Sequence, residues 1–503
     1  MLINLIVLGL YFAILFGIGI AASRRIKNMD DYYAGGKSLG YWMVAFSARA
    51  TGESGWLLIG LTAMGALAGV SAYWVVVGEV LGVAVSWFFM AKPFKRLTDK
   101  YDSLTVPDFL ESHFKAKGHT LRMVAALCLA SFVVIYVSAQ IDITGKAFET
   151  FLNLNYFTGA IIGFLIVVAY IFIGGFLAVV WSDFFQGLLM FVGLLALPVV
   201  AYFAWDQHAE LFSRLENIDP NLVNIWGGNE DPWMQTAKML GFAFIGLGFL
   251  GSPQVYARFI SVKNTAEINK GRWVAIVFTL ISDAAAVSIG LLARALFTDT
   301  GMDPEAALGM SGEDTLMVLL KDTFPAVIIA IYIAIILSAI MSTIDSLLVV
   351  ASSAIVRDLY QKVFHPEIGN DKLTRMSSYI TLAMALLALA VAMLVAINVP
   401  GRTVFWFTIF GWSGIAATFC PMIIYALFWK KFNQSGALAC MISGFLAVPF
   451  FKFYVQELDG IGPYFRELDV MGPAFVVSFI IGGAVSLMMA KKHKIAEIPE
   501  EQN

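Results

Sequence analysis

Apolar runs of about 20 residues recur along almost the whole chain, each long enough to cross a bilayer as a helix. Short polar intervals separate them, the longest only some 25–30 residues. The pattern predicts an all-α membrane protein of about 13 spans. They lie near 3–22, 41–68, 72–91, 121–147, 157–178, 183–204, 235–256, 272–297, 324–350, 377–398, 403–428, 436–454 and 472–490. One transmembrane domain over residues 1–490 is expected, with a short cytoplasmic tail over 491–503. The first apolar run is followed by Arg24-Arg25 and lacks a small-residue cleavage pattern, so it reads as a retained helix.

Two spans carry interruptions. The second holds Ser47-Ala-Arg49-Ala-Thr51-Gly52-Glu53-Ser54-Gly55-Trp56, where Gly and Ser weaken the helix at membrane depth. The seventh holds Gly241, Gly246, Gly248, Gly251, Ser252 and Pro253, and Pro253 removes a backbone donor. Paired broken spans in corresponding halves point to a transporter's binding site. Spans two to six and seven to eleven then form two five-helix repeats, over about 41–204 and 235–428. Five crossings is an odd number, so the second copy is inverted.

Composition agrees with this reading. The chain is 59% hydrophobic and 14% charged, with a mean hydropathy of +0.79. A soluble protein of 503 residues could not hide that much apolar surface. Basic residues concentrate in alternate intervals, among them Arg24, Arg25, Lys27, Lys95, Lys117, Arg122, Arg258, Arg357, Lys430, Lys431, Lys491, Lys492 and Lys494. The opposite intervals offer little beyond Arg214, Lys321, Arg402 and Arg466. Positive charge stays inside, which places the N-terminus outside and the C-terminus in the cytoplasm of a multi-pass inner (plasma) membrane protein. Cys128, Cys420 and Cys440 have no metal-ligand spacing and read as packed thiols. The histidines (His113, His119, His208, His365, His493) fall in loops or tails, against a zinc site or an intramembrane relay. No nucleotide-binding loop is present, which argues against an ATP-driven pump.

Six acids fall inside the spans, Glu53, Glu79, Asp142, Asp183, Asp283 and Asp345, with Arg49 and Lys146 among the bases. Arg49 with Glu53, and Asp142 with Lys146, are four apart and could neutralise each other on one helix face. The other four acids have no local partner, and an unpaired buried carboxylate either takes a proton or binds a cation. Span nine adds Ser338, Ser342, Thr343, Asp345 and Ser346 in an otherwise apolar stretch. Hydroxyls there could simply join helices. With a carboxylate among them they fit a hard cation such as Na⁺.

Several collinear motifs carry a resemblance. Asp30-Asp31-Tyr32-Tyr33-Ala-Gly-Gly36, Ser54-Gly55-Trp56-Leu57-Leu58, Thr105-Val-Pro107-Asp108-Phe109, Gly174-Gly175-Phe176-Leu177-Ala178-Val-Val-Trp181-Ser182-Asp183, Pro253-Gln254-Val-Tyr-Ala257-Arg258-Phe259 and Ile340-Met341-Ser342-Thr343 resemble the sodium:solute symporter family. Over residues 1 to 490 the chain is most similar to its sodium/proline branch. The resemblance implies a LeuT-like five-plus-five inverted repeat. It implies a Na⁺ site at the carbonyls of Ala50, Glu53 and Ala339 and the hydroxyls of Ser342 and Thr343. A second Na⁺ site of some relatives matches Asp183, Asp345 and Ser346. The substrate positions match Ser54, Gly55, Trp56, Tyr136, Phe249 and Pro253, and Gln140 adds an amide.

The departures are as specific. Proline symporters typically have an aspartate where Gly52 stands; the acid here is Glu53, one residue on. Ile245 and Phe249 replace two aromatic residues of the proline pocket, a tryptophan and a tyrosine. The expected function is symport of Na⁺ with a small organic solute, proline or a related amino acid first. The alternative is sodium- or proton-coupled symport of another solute such as a carboxylate. A passive channel or a sensor module fits less well, and no enzyme chemistry is indicated. Neither nucleic acid nor an obligate protein partner is expected; the bilayer and the small solute are the partners.

Overall fold

The computed structural model describes residues 2–26, 29–116, 118–171, 175–228 and 231–489. The expected tail at 491–503 lies outside the described residues, as do Lys27, Lys117 and Gly174. Among the described residues the chain is helical almost throughout, and eleven helices there are long and apolar enough to cross a membrane. The longest, Tyr41–Lys100, takes in two of the expected spans. Tyr156–Ile171 is a shorter apolar helix. An isolated bridge joins Leu39 to Val262.

We number the helices that matter below in chain order: α1 (Leu2–Ser23), α2 (Tyr41–Trp56), α3 (Tyr73–Val85), α4 (Thr120–Leu152), α5 (Tyr156–Ile171), α6 (Phe176–Ala204) and α7 (Pro232–Phe244). They continue with α8 (Pro253–Ser261), α9 (Thr265–Phe297), α10 (Ala326–Ser353), α11 (Asn370–Asn398) and α12 (Val404–Phe428). Many starts are capped by a side-chain oxygen that takes a free N–H of the first turn. Asp231 accepts from Trp233 N ahead of Pro232, Asn264 from Glu267 N and Thr403 from Trp406 N.

The core is α2, packed against α6, α9 and α10, while α4 packs against α10, α11 and α12. Large apolar side chains such as Phe89, Leu127, Leu165, Phe203 and Leu394 point outward, as a lipid-facing surface requires. One close approach depends on missing side chains. Gly78 on α3 and Gly246, between α7 and α8, lie backbone to backbone, and a Cβ on either would run into the other segment's main chain.

Several boundaries and one class of residue differ from the sequence reading, α9 and α11 each beginning seven residues early, at Thr265 and Asn370. α6 begins at Phe176, so Asp183 lies two turns inside a helix rather than at its end. Residues 176–178, expected in the fifth span, belong to α6, and α4 runs on to Leu152. His113 is buried on the short helix Val106–Phe114, not in a loop. Several basic residues counted as loop charges are buried and paired: Lys95, Arg122, Arg258 and Arg357.

Arg122 and Arg357 belong to a network at one end of the bundle. Asp108 accepts from Arg122 and from Arg357, each at 2.8 Å. Arg122 also reaches Asp358 at 2.6 Å and pairs closely with Glu111. Thr105 caps the Val106–Phe114 helix and donates to Asp358 at 3.0 Å. Burial alone would raise the Asp108 carboxyl, yet the Arg357 and Arg122 guanidinia hold it down at about 2, below the usual 3.8. A depressed carboxylate stabilises the fold fully above its unfolded value and loses that contribution as pH falls through about 2. Asp108→Asn is expected to lower stability at neutral pH by roughly 2 kcal/mol, read as a drop in the detergent-solubilised melting temperature. An unchanged melting temperature at pH 7 would show that the network does not hold the helices together.

Candidate transport site at the broken helices

α2 breaks at Ser54, whose φ of 51° and ψ of −176° leave the helical region. The freed groups are taken up locally. Gly55 N–H donates to Gln140 Oε1 at 3.1 Å, and Trp56 N–H to Ser54 Oγ at 3.3 Å. Gln140 Nε2 donates to Ser54 Oγ at 3.4 Å. Gln140, expected only to face the pocket, therefore holds the broken helix. Glycine at 55 lets these helices approach closely, since a Cβ there would lie 2.9 Å from Ile340 Cγ1 and 3.0 Å from Ile143 Cγ2.

The seventh span breaks in the same fashion. α7 tightens into a 3₁₀ turn over Ile245–Leu250, then Gly251 and Ser252 turn the chain so that Pro253 starts α8. Phe249 stands in this break, 5.1 Å from the ring of Trp412, which lies 6.2 Å from Tyr136. Trp56 packs edge-on to Phe405 at 6.0 Å. Trp412 and Phe405 were not singled out from the sequence, because α12 is apolar on all sides and no pattern marks one face. Trp56, Tyr136, Gln140 and Phe249 are all at most 2% exposed, so the structure is closed over them.

Beside the Ser54 break, α10 reaches α2 through two hydroxyls. Ser342 Oγ lies 3.0 Å from Ala50 O and 3.1 Å from Ala339 O. Thr343 Oγ1 lies 3.3 Å from Thr51 O and 3.0 Å from Ala339 O. Ala50, Ala339, Ser342 and Thr343 therefore come together as expected. The carbonyl that joins them is Thr51's, and the Glu53 carbonyl makes no such contact among the described residues. Buried carbonyl and hydroxyl oxygens are the donor set of a hard cation.

The second group of expected ligands surrounds a cation that the chain itself supplies. Arg258 of α8 donates from Nη2 to Asp183 Oδ2 at 2.9 Å, and also to Ser346. Its Nε donates to Ser47 Oγ at 3.0 Å and its Nη1 to Gln254 O at 2.8 Å. Ser47 donates to Asp183 Oδ2 at 2.6 Å. Asp183 and Ser346 are thus brought together, with Thr51 Oγ1 2.9 Å from Ser346 Oγ. Asp345 is fully buried within electrostatic reach of Asp183 and Arg258, but neither of its oxygens has a hydrogen-bond partner.

Three of the other intramembrane acids, Glu53, Glu79 and Asp142, find arginines too. Arg49 pairs with Glu53, as the spacing suggested, and with Glu79 at 3.4 Å. Asp142 departs from expectation: Lys146 is 4.0 Å away, whereas Arg402 approaches to 2.5 Å and Tyr156 donates at 2.6 Å. Lys146 turns instead to Glu313 at 2.6 Å and to the Arg402 carbonyl at 2.9 Å. Arg402 and Arg258 are 260 and 75 residues from the acids they meet, which no spacing rule reaches.

Two broken spans crossing at buried polar backbone, inside an all-helical membrane bundle, define a secondary transporter rather than an enzyme or a channel. The sodium:solute symporter family profile matches residues 32–444, and the chain belongs to that family. It is 34% identical to the high-affinity proline transporter of Bacillus subtilis over 435 residues, covering 85% of this chain and 87% of that one. It is 31% identical to the sodium/proline symporter of Escherichia coli over 483 residues, covering 95% and 93%. Its fold is similar to that of a Na⁺-coupled sialic acid symporter solved in a substrate-bound outward-open state, with a TM-score of 0.77, 19% identity and coverage of 98% and 99%. MhsT in complex with L-phenylalanine shares the fold at a TM-score of 0.53, with 14% identity and coverage of 89% and 98%. The protein is a multi-pass membrane transporter with the LeuT-type architecture.

Glycine at position 52 leaves room for the Phe249 ring. A Cβ at Gly52 would lie 2.7 Å from Phe249 Cε1 and 3.7 Å from Arg49 Nη1. Gly52→Ala is therefore expected to push the ring aside and raise the solute concentration for half-maximal uptake by about tenfold, with near-normal membrane yield. Adding Phe249→Leu should recover part of the loss. Uptake indifferent to Gly52→Ala would show that the ring does not contact solute.

Proposed function

We propose that the protein imports proline or a closely related small amino acid together with Na⁺. The observation that carries the reading is the bridge from Ser342 and Thr343 to the Ala50 and Thr51 carbonyls, beside the break at Ser54. A Na⁺ ion held by Ala50, Ala339, Ser342 and Thr343 would tie α2 to α10. An ion shifts a conformational equilibrium only by binding one state better than another, and a site shared by two helices that separate on opening meets that condition.

The solute would lie in the break, its carboxylate on the unwound backbone near Ser54 and Gly55 and its apolar body against Trp56, Tyr136 and Phe249, with Pro253 and Gln140 fixing the two broken ends. A sugar would need several more side-chain hydrogen bonds than these residues offer. The repeats would span about 41–204 and 235–428. The basic intervals favour an N-terminus outside and a C-terminus in the cytoplasm of the plasma membrane. In that orientation each inward charge contributes about 2.3 kcal/mol per 100 mV. At Asp183 and Ser346 the guanidinium of Arg258 supplies the positive charge, so these residues act in this reading as a latch between α6, α8 and α10. Asp345 then faces that latch as an unneutralised acid.

Uptake of labelled proline into proteoliposomes, with and without a Na⁺ gradient, tests the function directly. Ser342→Ala with Thr343→Ala is expected to raise the Na⁺ concentration for half-maximal uptake at least tenfold, about 1.4 kcal/mol of lost ion binding, with membrane yield little changed. Saturable sugar uptake with no amino-acid response would reverse the substrate reading. Unchanged sodium dependence in the double variant would remove the ion from this site.

A further inference from the structure

Arg49, Glu53, Glu79 and Asp283 come from three separate helices and meet in one buried place. α2 supplies Arg49 and Glu53, α3 supplies Glu79, and α9 supplies Asp283. Each is at most 1% exposed. One carboxylate oxygen from each acid lies within 4.8 Å of the other two. The charges do not cancel, because three carboxylates share one guanidinium. Glu53 and Glu79 both engage Arg49 Nη2. Asp283 is left over: neither of its oxygens meets a hydrogen-bond donor among the described residues, and Glu79 beside it is another acceptor. Ion pairs that merely join helices would match each acid with a base. Here a fully buried carboxylate is aimed at two others, an arrangement completed only by positive charge among the oxygens.

We propose that Glu53, Glu79 and Asp283 form a second cation site that takes Na⁺, separate from the Ser342/Thr343 site; the inference rests on the symport reading above. Three oxygens so close share a point no more than about 2.8 Å from each, near the distances hard cations keep to oxygen (~2.3–2.6 Å). A divalent ion on three carboxylates would be held tightly, whereas a carried ion must leave again in every cycle. None of the three acids lies on α10, so the site is independent of Ser342 and Thr343. Its link to solute runs through Arg49, whose guanidinium lies 4.3 Å over the Phe249 ring. An ion drawing on Glu53 and Glu79 loosens their hold on Arg49 and so changes the support beneath that ring. Glu53 also directly precedes the break at Ser54. Ion and solute binding are then coupled, each strengthening the other.

Two measurements test the site. Equilibrium binding of sodium-22 to purified protein should count two ions per chain, and one in Asp283→Asn, which keeps the side chain's shape and removes its charge. In proteoliposomes, the voltage at which net solute flux reverses should give two Na⁺ per solute for the natural chain and one for Asp283→Asn. The Ser342→Ala, Thr343→Ala double variant should also fall to one, by losing the other ion. A natural chain that binds one ion and carries one per solute overturns the proposal. So does a reversal voltage that follows pH, because the second charge is then a proton, and so does an Asp283→Asn protein that keeps two ions. Should Asp283→Asn fail to reach the membrane, the ion count of the natural chain and of Glu79→Gln decides. Failure of the symport reading shows differently: the natural chain then has no Na⁺-driven flux, while the binding count still decides this site.

Discussion

A helix interrupted where no water can reach must hand its freed backbone groups to side chains, and the rest of this protein is arranged around that demand. At Ser54 the donors go to Gln140 and to Ser54 itself. The acceptors Ala50 O and Thr51 O meet hydroxyls from α10. An unsatisfied group at that depth would cost several kcal/mol, so each of these partners is structural before it is functional. The same economy makes the break useful. Carbonyls that are already turned out of a helix, and hydroxyls already pointed at them, need little rearrangement to accept an ion in place of a hydrogen bond.

Charge is handled by the same logic over longer distances. Asp183 is met by Arg258, Asp142 by Arg402, and Glu53 and Glu79 by Arg49. Each pair joins helices far apart in sequence or pins a break to its surroundings. Removing one partner of such a pair leaves a buried charge and is expensive, while the pair itself contributes modestly. Their value lies in specifying which helices touch. Against that background Asp283 and Asp345 stand out, because among the described residues none donates a hydrogen bond to either.

What the sequence made legible follows from range. Periodicity and run length mark the spans, and Gly, Ser and Pro at membrane depth mark both breaks, because these are local properties. The i,i+4 rule found Arg49 with Glu53 correctly. It proposed Lys146 for Asp142, where Arg402 and Tyr156 are nearer and Lys146 turns to Glu313. Arg258 was hidden for a different reason. The apolar run ends just before it, so it reads as a loop charge, although α8 carries it inward to Asp183. Trp412 and Phe405 could not be picked from a helix apolar on every face. The resemblance gathered Ala50, Ala339, Ser342 and Thr343, which spacing alone would not have joined across nearly 300 residues.

Glycine at position 52 and the acid at 53 tie these threads together. With a side chain at 52, Phe249 could not lie where it does. With glycine there, the ring fills the space and Arg49 stacks on it. Moving the carboxylate one residue along a helix turns it by about 100°, away from Ser342 and Thr343 and toward α3 and α9. There it meets Glu79 and Asp283, which have no role in a site built on α10. Glycine, ring, arginine and three acids thus form one linked set. Each member is placed by the others, and a side chain at position 52 would have to displace the Phe249 ring on which Arg49 stacks.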